Sequence, residues 1–357
     1  MNLDARARAS AEALHRSATR VDPVAGLDNL LRRRRRRLVG KAVTALATAA
    51  ALALVAWVGV RGPHEDAIVA PPSPPSFGRV TATIPVGAGP ADVLVSDGAV
   101  WVANATQGTV SRIDPATNTV TRTIRVGRNP SRLAAGYGSI WAANNDGTVS
   151  RINARTGRVT ATIPVTGIRP SDLAAGAGAV WVTSGAGARL MRVDPASNQQ
   201  VAVPEGLDAA PNGIAVVDGL VWLSYSGQPS HVTRIDPSTN QIADTVTTPG
   251  DGQLAVGGAS MWQTGIATQA VYRLDPRSGR LRARIPIGVV PDRLTVGAES
   301  LWVGSASGKV TRIDLATDKI TGTFQVAGPA PAVAAGAGSV WIVDTAHAAL
   351  LRVQPTG

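Results

Sequence analysis

Cysteine is absent from this 357-residue sequence, and aromatic residues are scarce, because Phe, Trp and Tyr together make up 4% of it. Without cysteine the chain has no disulfide framework and no thiolate ligand for a metal. Histidine is limited to four residues, and no Cys/His metal spacing, G-x-S-x-G motif or phosphate-binding loop occurs. These absences exclude the usual sequence signatures of redox, zinc and nucleotide-hydrolysing centres.

Positive charge is concentrated at the N terminus. The formal net charge is +11, but residues 1–62 hold 12 Lys and Arg against 4 Asp and Glu, whereas the remainder holds 23 against 20. A basic patch for nucleic acid needs its charge on the folded domain. The near-neutral remainder therefore argues against nucleic acid as a partner. The preference for arginine, with only three lysines, is typical of a GC-rich bacterial genome.

A hydrophobic run follows the basic head. Ala42 to Val60 contains no charged residue over 19 positions and would be about 28 Å long as a helix, close to the thickness of a bilayer core. Arg32 to Arg37 precede it, and positive flanks stay cytoplasmic. We expect a cytoplasmic segment (1–37), which could bind a cytoplasmic partner, a single transmembrane helix (38–61) and everything after it outside the cytoplasm. A cleaved signal peptide is the alternative, although no clear A-x-A site follows.

A proline-rich linker is predicted over residues 62–77. Its "APPSPPS" stretch, Ala70 to Ser76, is stiff and cannot join the interior of a sheet. We therefore expect it to hold the next domain away from the membrane.

Seven tryptophans recur with a period of about 40 residues after the linker. Their spacings are 40, 40, 41, 40, 40 and 39, and they are Trp101, Trp141, Trp181, Trp222, Trp262, Trp302 and Trp341. Around each one the sequence alternates as four short strands joined by tight turns, with no helical period. Four-stranded units of this length, repeated seven times, predict an all-β, seven-bladed β-propeller over residues 78–357.

The turn between the third and fourth strands has a repeated chemistry. In "DPATN", Asp114 can accept backbone hydrogen bonds, Pro115 presets φ and Asn118 tolerates the left-handed conformation. The sixth copy has Leu315 in place of the proline, and we expect a looser turn there.

The two ends of the repeat region complement each other. The chain stops at "RVQPTG" (Arg352 to Gly357) without a fourth strand, while Val80 to Val86 is a strand with no turn before it. We expect the N-terminal strand to complete the C-terminal blade and close the ring, because closure removes exposed sheet edges.

At the level of its repeats the sequence resembles two groups of known proteins. "IPVGAGPADVLVSDGAVWVANATQGTVSRIDPATNTVTRTIRVG" resembles the YncE-like or YVTN-type propeller proteins, and the pattern P-x-x-L-A-A-G-x-G-x-V-W is similar to the streptogramin lyase (virginiamycin B lyase) repeats. The resemblance covers about residues 78–357. It implies a propeller scaffold that is shared by sensors, binding proteins, nucleic-acid binders and enzymes.

Residues that recur in every blade should be architectural, whereas a site has to break the symmetry. One arginine on each third strand recurs and is therefore expected to be structural. The positions nine before and three after each Trp differ between blades and should face one mouth of the channel. The candidate ligand-binding residues there are Asp92, Arg132, Asp172, Gln253, Arg293, Asn104, Asn144, Tyr225, Asp344 and His347.

These features favour a non-catalytic binding, interaction or sensor module that takes a small ligand, an envelope component or a protein, with no cofactor or metal. Two alternatives are a metal-dependent lyase and a nucleic-acid-binding propeller. The lyase resemblance implies histidines, glutamates and a divalent metal at the mouth. The propeller offers only His231, His347, Glu205 and Glu299, which makes a poor acid/base or metal set.

Overall fold

The computed structural model describes residues 75–355, apart from 166, 185–186, 202–206, 208 and 330–331. These residues form 28 β-strands and no helix, and the strands assemble into seven antiparallel four-stranded sheets. The fold is an all-β, seven-bladed β-propeller. Among the described residues, no helix has the length and hydropathy needed to cross a bilayer. The predicted cytoplasmic segment (1–37) and transmembrane helix (38–61) lie outside the described residues.

Each sheet runs from an inner strand to an outer strand. The inner strands are β2 (Pro90–Ser96), β6 (Pro130–Gly136), β10 (Pro170–Gly176), β14 (Gly213–Val217), β18 (Leu254–Gly257), β22 (Pro291–Gly297) and β26 (Val333–Gly336). The second strands, which carry the tryptophans, are β3 (Ala99–Asn104), β7 (Ser139–Asn144), β11 (Ala179–Ser184), β15 (Leu220–Tyr225), β19 (Ser260–Gly265), β23 (Ser300–Ser305) and β27 (Ser339–Asp344).

The third and fourth strands complete the blades. The third strands are β4 (Thr109–Asp114), β8 (Thr148–Asn153), β12 (Leu190–Val193), β16 (His231–Asp236), β20 (Ala270–Leu274), β24 (Lys309–Asp314) and β28 (Ala349–Pro355). The outer strands are β1 (Gly78–Pro85), β5 (Thr119–Arg125), β9 (Val159–Pro164), β13 (Gln200–Val201), β17 (Gln241–Thr247), β21 (Leu281–Pro286) and β25 (Ile320–Gln325).

The tryptophans lie in the interfaces between blades. All seven are fully buried, and six of their indole N–H groups donate to the carbonyl oxygen five residues earlier, as Trp141 does to Gly136 at 3.0 Å. The exception is Trp222, which donates to Pro276 of the next blade at 2.9 Å. A large flat ring with one satisfied donor fills the wedge between two sheets without leaving a buried polar group unpaired.

The recurring arginine of the third strand links neighbouring blades at Arg151, Arg192, Arg234, Arg273 and Arg352. Each guanidinium lies over the Trp of its own blade, with distances from 4.9 to 5.9 Å to the ring. Arg192 also reaches the turn of the next blade, where it donates to Pro237 O and Asn240 Oδ1, both at 2.8 Å. The arginine is therefore structural, as the sequence predicts. Stacking on the Trp and, for Arg192, hydrogen bonds to the next turn give it this role.

The turns before the outer strands keep one geometry in every copy. Asn118 has φ 57°, and its N–H donates to Asp114 O at 2.9 Å. The looser turn expected at Leu315 is wrong, because Asp318 has φ 58° and donates to Asp314 O at 3.0 Å. Asp314 Oδ1 accepts the N–H of Thr317 at 2.8 Å, so the aspartate holds this turn without the proline.

Strands from both ends of the described chain share the seventh sheet. β1 pairs antiparallel with β28, with Thr83 opposite Leu351 and Arg79 opposite Gln354. The sheet order is β1-β28-β27-β26, and its inner strand β26 packs beside β2 of the first blade. β26 also packs beside β22 and therefore lies between β22 and β2.

Three residues before β1 also belong to the propeller. Ser76 forms a parallel bridge with Thr323 of β25, and the N–H of Phe77 donates to Thr323 O at 3.2 Å. The Phe77 ring is buried and lies edge-on to Trp302, with ring centroids 4.8 Å apart. The predicted linker extends to residue 77, whereas the structure places Pro75–Phe77, the 75–77 segment, on the sixth blade.

The position of the 75–77 segment follows from the chain ends. In the fifth blade, the turn before the outer strand packs on the Trp of the preceding blade, since a Cβ at Gly279 would lie 3.0 Å from the Trp222 ring. The seventh blade has no such turn, because its third strand β28 and its outer strand β1 are not consecutive in the sequence. Phe77 covers Trp302 in that place, and Gly322 permits the close approach, since a Cβ there would lie 2.8 Å from Phe77 Cβ.

Candidate functional site

One cavity of about 170 Å³ is lined by residues from all seven inner strands. It therefore lies in the central channel. Of the seven positions nine residues before each Trp, six line this cavity, whereas Gly213 of the fourth blade does not and its neighbour Ile214 does. The six are Asp92, Arg132, Asp172, Gln253, Arg293 and Ala332.

A β-bulge precedes the charged residue on four of the inner strands. The register shifts between Pro90 and Asp92 of β2, and equivalent shifts occur on β6, β10 and β22. A bulge inserts one unpaired residue and re-aims the side chain that follows it. In the sequence, each of these bulges is marked by a proline two residues before a charged residue, as in "PAD", "PSR", "PSD" and "PDR". The Trp period alone does not predict them.

Two aspartates flank one arginine on the first three blades. Arg132 Nε lies 3.5 Å from Asp172 Oδ1, and both side chains are more than four-fifths buried. Burial raises the pKa of Asp92 and of Asp172 to about 6, and the nearby Arg132 guanidinium opposes this rise. The channel therefore contains carboxyl groups whose charge changes near neutral pH.

The same aspartates connect neighbouring blades. Asp92 Oδ2 accepts the N–H of Leu133 on the second blade at 2.8 Å, and the backbone N–H of Ile214 on the fourth blade opposes the rise in the pKa of Asp172. Gln253 reaches back from the fifth blade, where its amide donates to Asn212 O at 2.6 Å. The wall of the channel is thus held in place by hydrogen bonds that cross from blade to blade.

The sixth blade also contributes charged residues to this part of the molecule. Arg293 Nε lies 3.9 Å from Asp292 Oδ2, and the Asp292 side chain is 44% exposed. Burial raises the pKa of Asp292, and the positive charge of Arg132 opposes this rise. Charges on the second and sixth blades therefore interact across the channel. Among the described residues, no hydrogen-bond acceptor meets the buried Nε of Arg132 or of Arg293.

Two of the remaining sequence-predicted residues lie inside their own blades. Asn104 and Asn144 are fully buried. Asn104 Nδ2 donates to Thr109 Oγ1 at 3.0 Å and to Ser111 Oγ at 2.9 Å, and Asn144 makes the equivalent pair of bonds. These amides cross-link the second and third strands, and neither residue is among those that line the channel cavity.

Tyr225, Asp344 and His347 also lie apart from the residues that line the cavity. The buried Tyr225 ring stacks on His231, with centroids 4.7 Å apart. Asp344 is buried, and its Oδ2 lies 2.8 Å from His347 Nδ1. Position three after the Trp ends the second strand, and the side chains described there contact the third strand, as Asn104, Asn144 and Tyr225 do, or the loop before it, as Asp344 does.

The residues implied by the lyase resemblance are separated. His231 contacts Tyr225 on the fourth blade and His347 contacts Asp344 on the seventh, while Glu299 lies in a turn with φ 55°. Glu205 lies outside the described residues. In the part of the chain that the structure describes, no three His, Asp or Glu side chains lie close enough to hold a metal ion.

Comparison with known proteins identifies the fold and no family. No family model matches the chain, and no curated protein matches it.

Solved structures do match. The β-propeller domain of Myceliophteria thermophila Cps50 (Swd1) is similar with a TM-score of 0.67 at 12% identity, and covers 78% of this chain and 100% of that one. Kuenenia stuttgartiensis hydrazine synthase matches with a TM-score of 0.65 at 14% identity, over 83% of this chain and 99% of that one. The computationally designed Ika8 protein matches with a TM-score of 0.58 at 13% identity, over 76% and 99%. At these identities the similarity shows the propeller fold alone.

Proposed function

We propose that this chain is a non-catalytic binding module whose central channel takes a small polar ligand. The observation that carries this proposal is the contrast between two sets of residues. The tryptophans and third-strand arginines recur in every blade and hold the blades together. The residues that line the one channel cavity differ from blade to blade in charge and size, as residues selected for a ligand would.

The choice of a binding module over a lyase rests on the placement of the side chains. General acid/base chemistry needs titratable groups within hydrogen-bond reach of one substrate. His231 and His347 stand on different blades, and each contacts a residue of its own blade. The cavity instead presents arginines, aspartates and one amide that is bonded to Asn212 O, which suits recognition by charge and hydrogen bonding.

The experiment is an unbiased search for the ligand. The purified full chain in detergent is incubated with a fractionated small-molecule extract, and bound compounds are detected by native mass spectrometry. Arg132→Ala and Arg293→Ala should each lose the adduct seen with the wild type. Arg284→Ala, which changes an exposed residue of β21, is the matched control and should retain it. An adduct that survives both channel substitutions would place the ligand elsewhere and contradict the proposal.

We further propose that the propeller is displayed outside the cytoplasm by a transmembrane helix at 38–61. The support is the sequence alone: an uncharged 19-residue run preceded by six arginines. In this arrangement residues 1–37 could bind a cytoplasmic partner, and ligand capture would then be coupled to it as in a sensor.

Because the chain has no cysteine, single introduced thiols report this topology cleanly. Ala116→Cys on the propeller should react with a membrane-impermeant maleimide in intact cells. Ser10→Cys should react only after the cells are permeabilised. Equal labelling of both variants in intact cells, or of neither, contradicts the orientation.

A further inference from the structure

Two arginines in the channel have an unused hydrogen-bond donor. Arg132 and Arg293 line the same cavity from the second and sixth blades. Their side chains are only 15% and 18% exposed, and in the described part of the chain the Nε of each is buried without an acceptor. A buried donor without a partner costs free energy unless a ligand supplies the acceptor.

The charges that face this cavity come from four of the seven inner strands. β2 contributes Asp92, β6 contributes Arg132, β10 contributes Asp172, and β22 contributes Asp292 and Arg293. The three other inner strands contribute no charged side chain to the lining, and their residues there are Ile214, Gln253, Leu254, Ala332 and Val333.

Of the two arginines, Arg293 has the weaker ion pair with a carboxylate. Arg132 interacts with the carboxyl groups of Asp92 and Asp172, and the Asp172 oxygen is 3.5 Å from its Nε. In the described part of the chain, Arg293 has one carboxylate within ion-pair distance, that of Asp292, whose oxygen is 3.9 Å from Nε on a side chain that is 44% exposed. Solvent screening weakens such an exposed pair, so the guanidinium of Arg293 keeps most of its capacity for a further anion.

We propose that the channel binds a small carboxylate-bearing anion that Arg293 holds, with Arg132 as the second cation, and that binding strengthens in acid. This deepens the proposed function and rests on it. A planar guanidinium pairs with a carboxylate through two parallel N–H···O bonds. A cavity of about 170 Å³ is comparable to one that encloses benzene. A carboxylate with two to four carbon atoms therefore fits.

The pH dependence follows from the aspartates that compete for Arg132. Burial raises the pKa of Asp92 and Asp172 to about 6, so they are ionised at pH 7.5 and largely neutral at pH 5.0. Neutral carboxyl groups no longer repel the ligand and no longer engage Arg132. A bound anion raises their pKa values further, so binding takes up protons. With one proton taken up, affinity increases about 30-fold between pH 7.5 and pH 5.0.

The test measures binding of sodium acetate and sodium succinate to the full chain in detergent by titration calorimetry at constant ionic strength. Wild-type protein should bind at least one of them more tightly at pH 5.0, by about 30-fold. Arg293→Gln should reduce this affinity at least tenfold at both pH values, while the control Arg284→Gln leaves it unchanged. Asp172→Asn should raise affinity at pH 7.5 and flatten the pH dependence. Asn keeps an oxygen that can accept the backbone N–H groups, so this variant should fold.

The outcomes separate this inference from the proposed function. Putrescine is a dication. If it binds in place of either carboxylate and Asp172→Asn abolishes its binding, the channel still binds a ligand, but the assignment of that ligand as an anion is overturned. Carboxylate binding that Arg293→Gln does not change, or that weakens in acid, would also overturn it. If none of these probes binds and the small-molecule extract yields no adduct dependent on Arg132 or Arg293, both proposals fail.

Discussion

The 75–77 segment makes one local prediction that can be worked out quantitatively. Phe77 is 2% exposed and packs edge-on against Trp302 and beside Phe324, with centroids 4.8 and 5.5 Å away. Replacing a buried Phe with Ala costs about 3–5 kcal/mol. Since the segment precedes the first strand and can partly relax, Phe77→Ala should cost about 3 kcal/mol of unfolding free energy.

The assay is guanidinium unfolding of the full chain in detergent, followed by tryptophan fluorescence. For a domain of this size the loss lowers the midpoint by about 0.5 M. Val80→Ala on β1 is the control, because that side chain is 43% exposed and should change stability by about 0.5 kcal/mol or less. Gly322→Ala should also destabilise, because its Cβ would meet Phe77. A loss below about 1 kcal/mol for Phe77→Ala would refute the role assigned to the segment.

Two further predictions concern the blade interfaces and the channel. In chemical unfolding, Arg192→Ala should destabilise the propeller by about 1–3 kcal/mol more than Arg112→Ala. Both arginines stack on a Trp, but Arg192 also makes two hydrogen bonds to the next blade. Equal losses of unfolding free energy would contradict this cross-blade role. Asp172 has a folded-state pKa of about 6, above its usual 3.8, so the folded state holds the proton more tightly and stability is lost as the pH rises from about 4 to above 6. Asp172→Asn should remove this loss, so its unfolding free energy relative to wild type should be up to about 3 kcal/mol higher at pH 7.5 than at pH 3.5. Thermal unfolding of both proteins at the two pH values measures this change. A difference that is the same at both pH values would show that the carboxyl is not desolvated.

The repeat architecture was predictable because it depends on local chemistry that recurs. The Trp period predicts one sheet per repeat, and seven four-stranded sheets are observed. The turn residues predict left-handed positions, which Asn118 and Gly279 occupy. The Leu315 turn shows the limit of this reasoning, because its prediction depended on the proline, whereas the Asp314 side chain accepts the N–H groups of Ala316 and Thr317 and the turn forms without a proline.

The site was predictable only in part. Counting nine residues back from each Trp finds the channel wall because inner strands share one register. Counting three residues forward does not, because Asn104 and Asn144 stand where the second strand ends and their side chains bond within the blade. Phe77 could not be placed at all, because it has no counterpart in the repeats and its partners lie about 225 to 247 residues away in the sequence.

The central claim is that the two ends of the propeller share one sheet and so hold seven inner strands around a single channel. A disulfide tests it directly, because the chain has no cysteine of its own. Arg79 and Gln354 are paired across β1 and β28, and facing residues of an antiparallel pair lie within disulfide range. Arg79→Cys/Gln354→Cys should form an intramolecular disulfide in the folded chain on mild oxidation, detected by mass spectrometry. An absence of that bond, or bonds only between separate chains, would contradict the shared sheet.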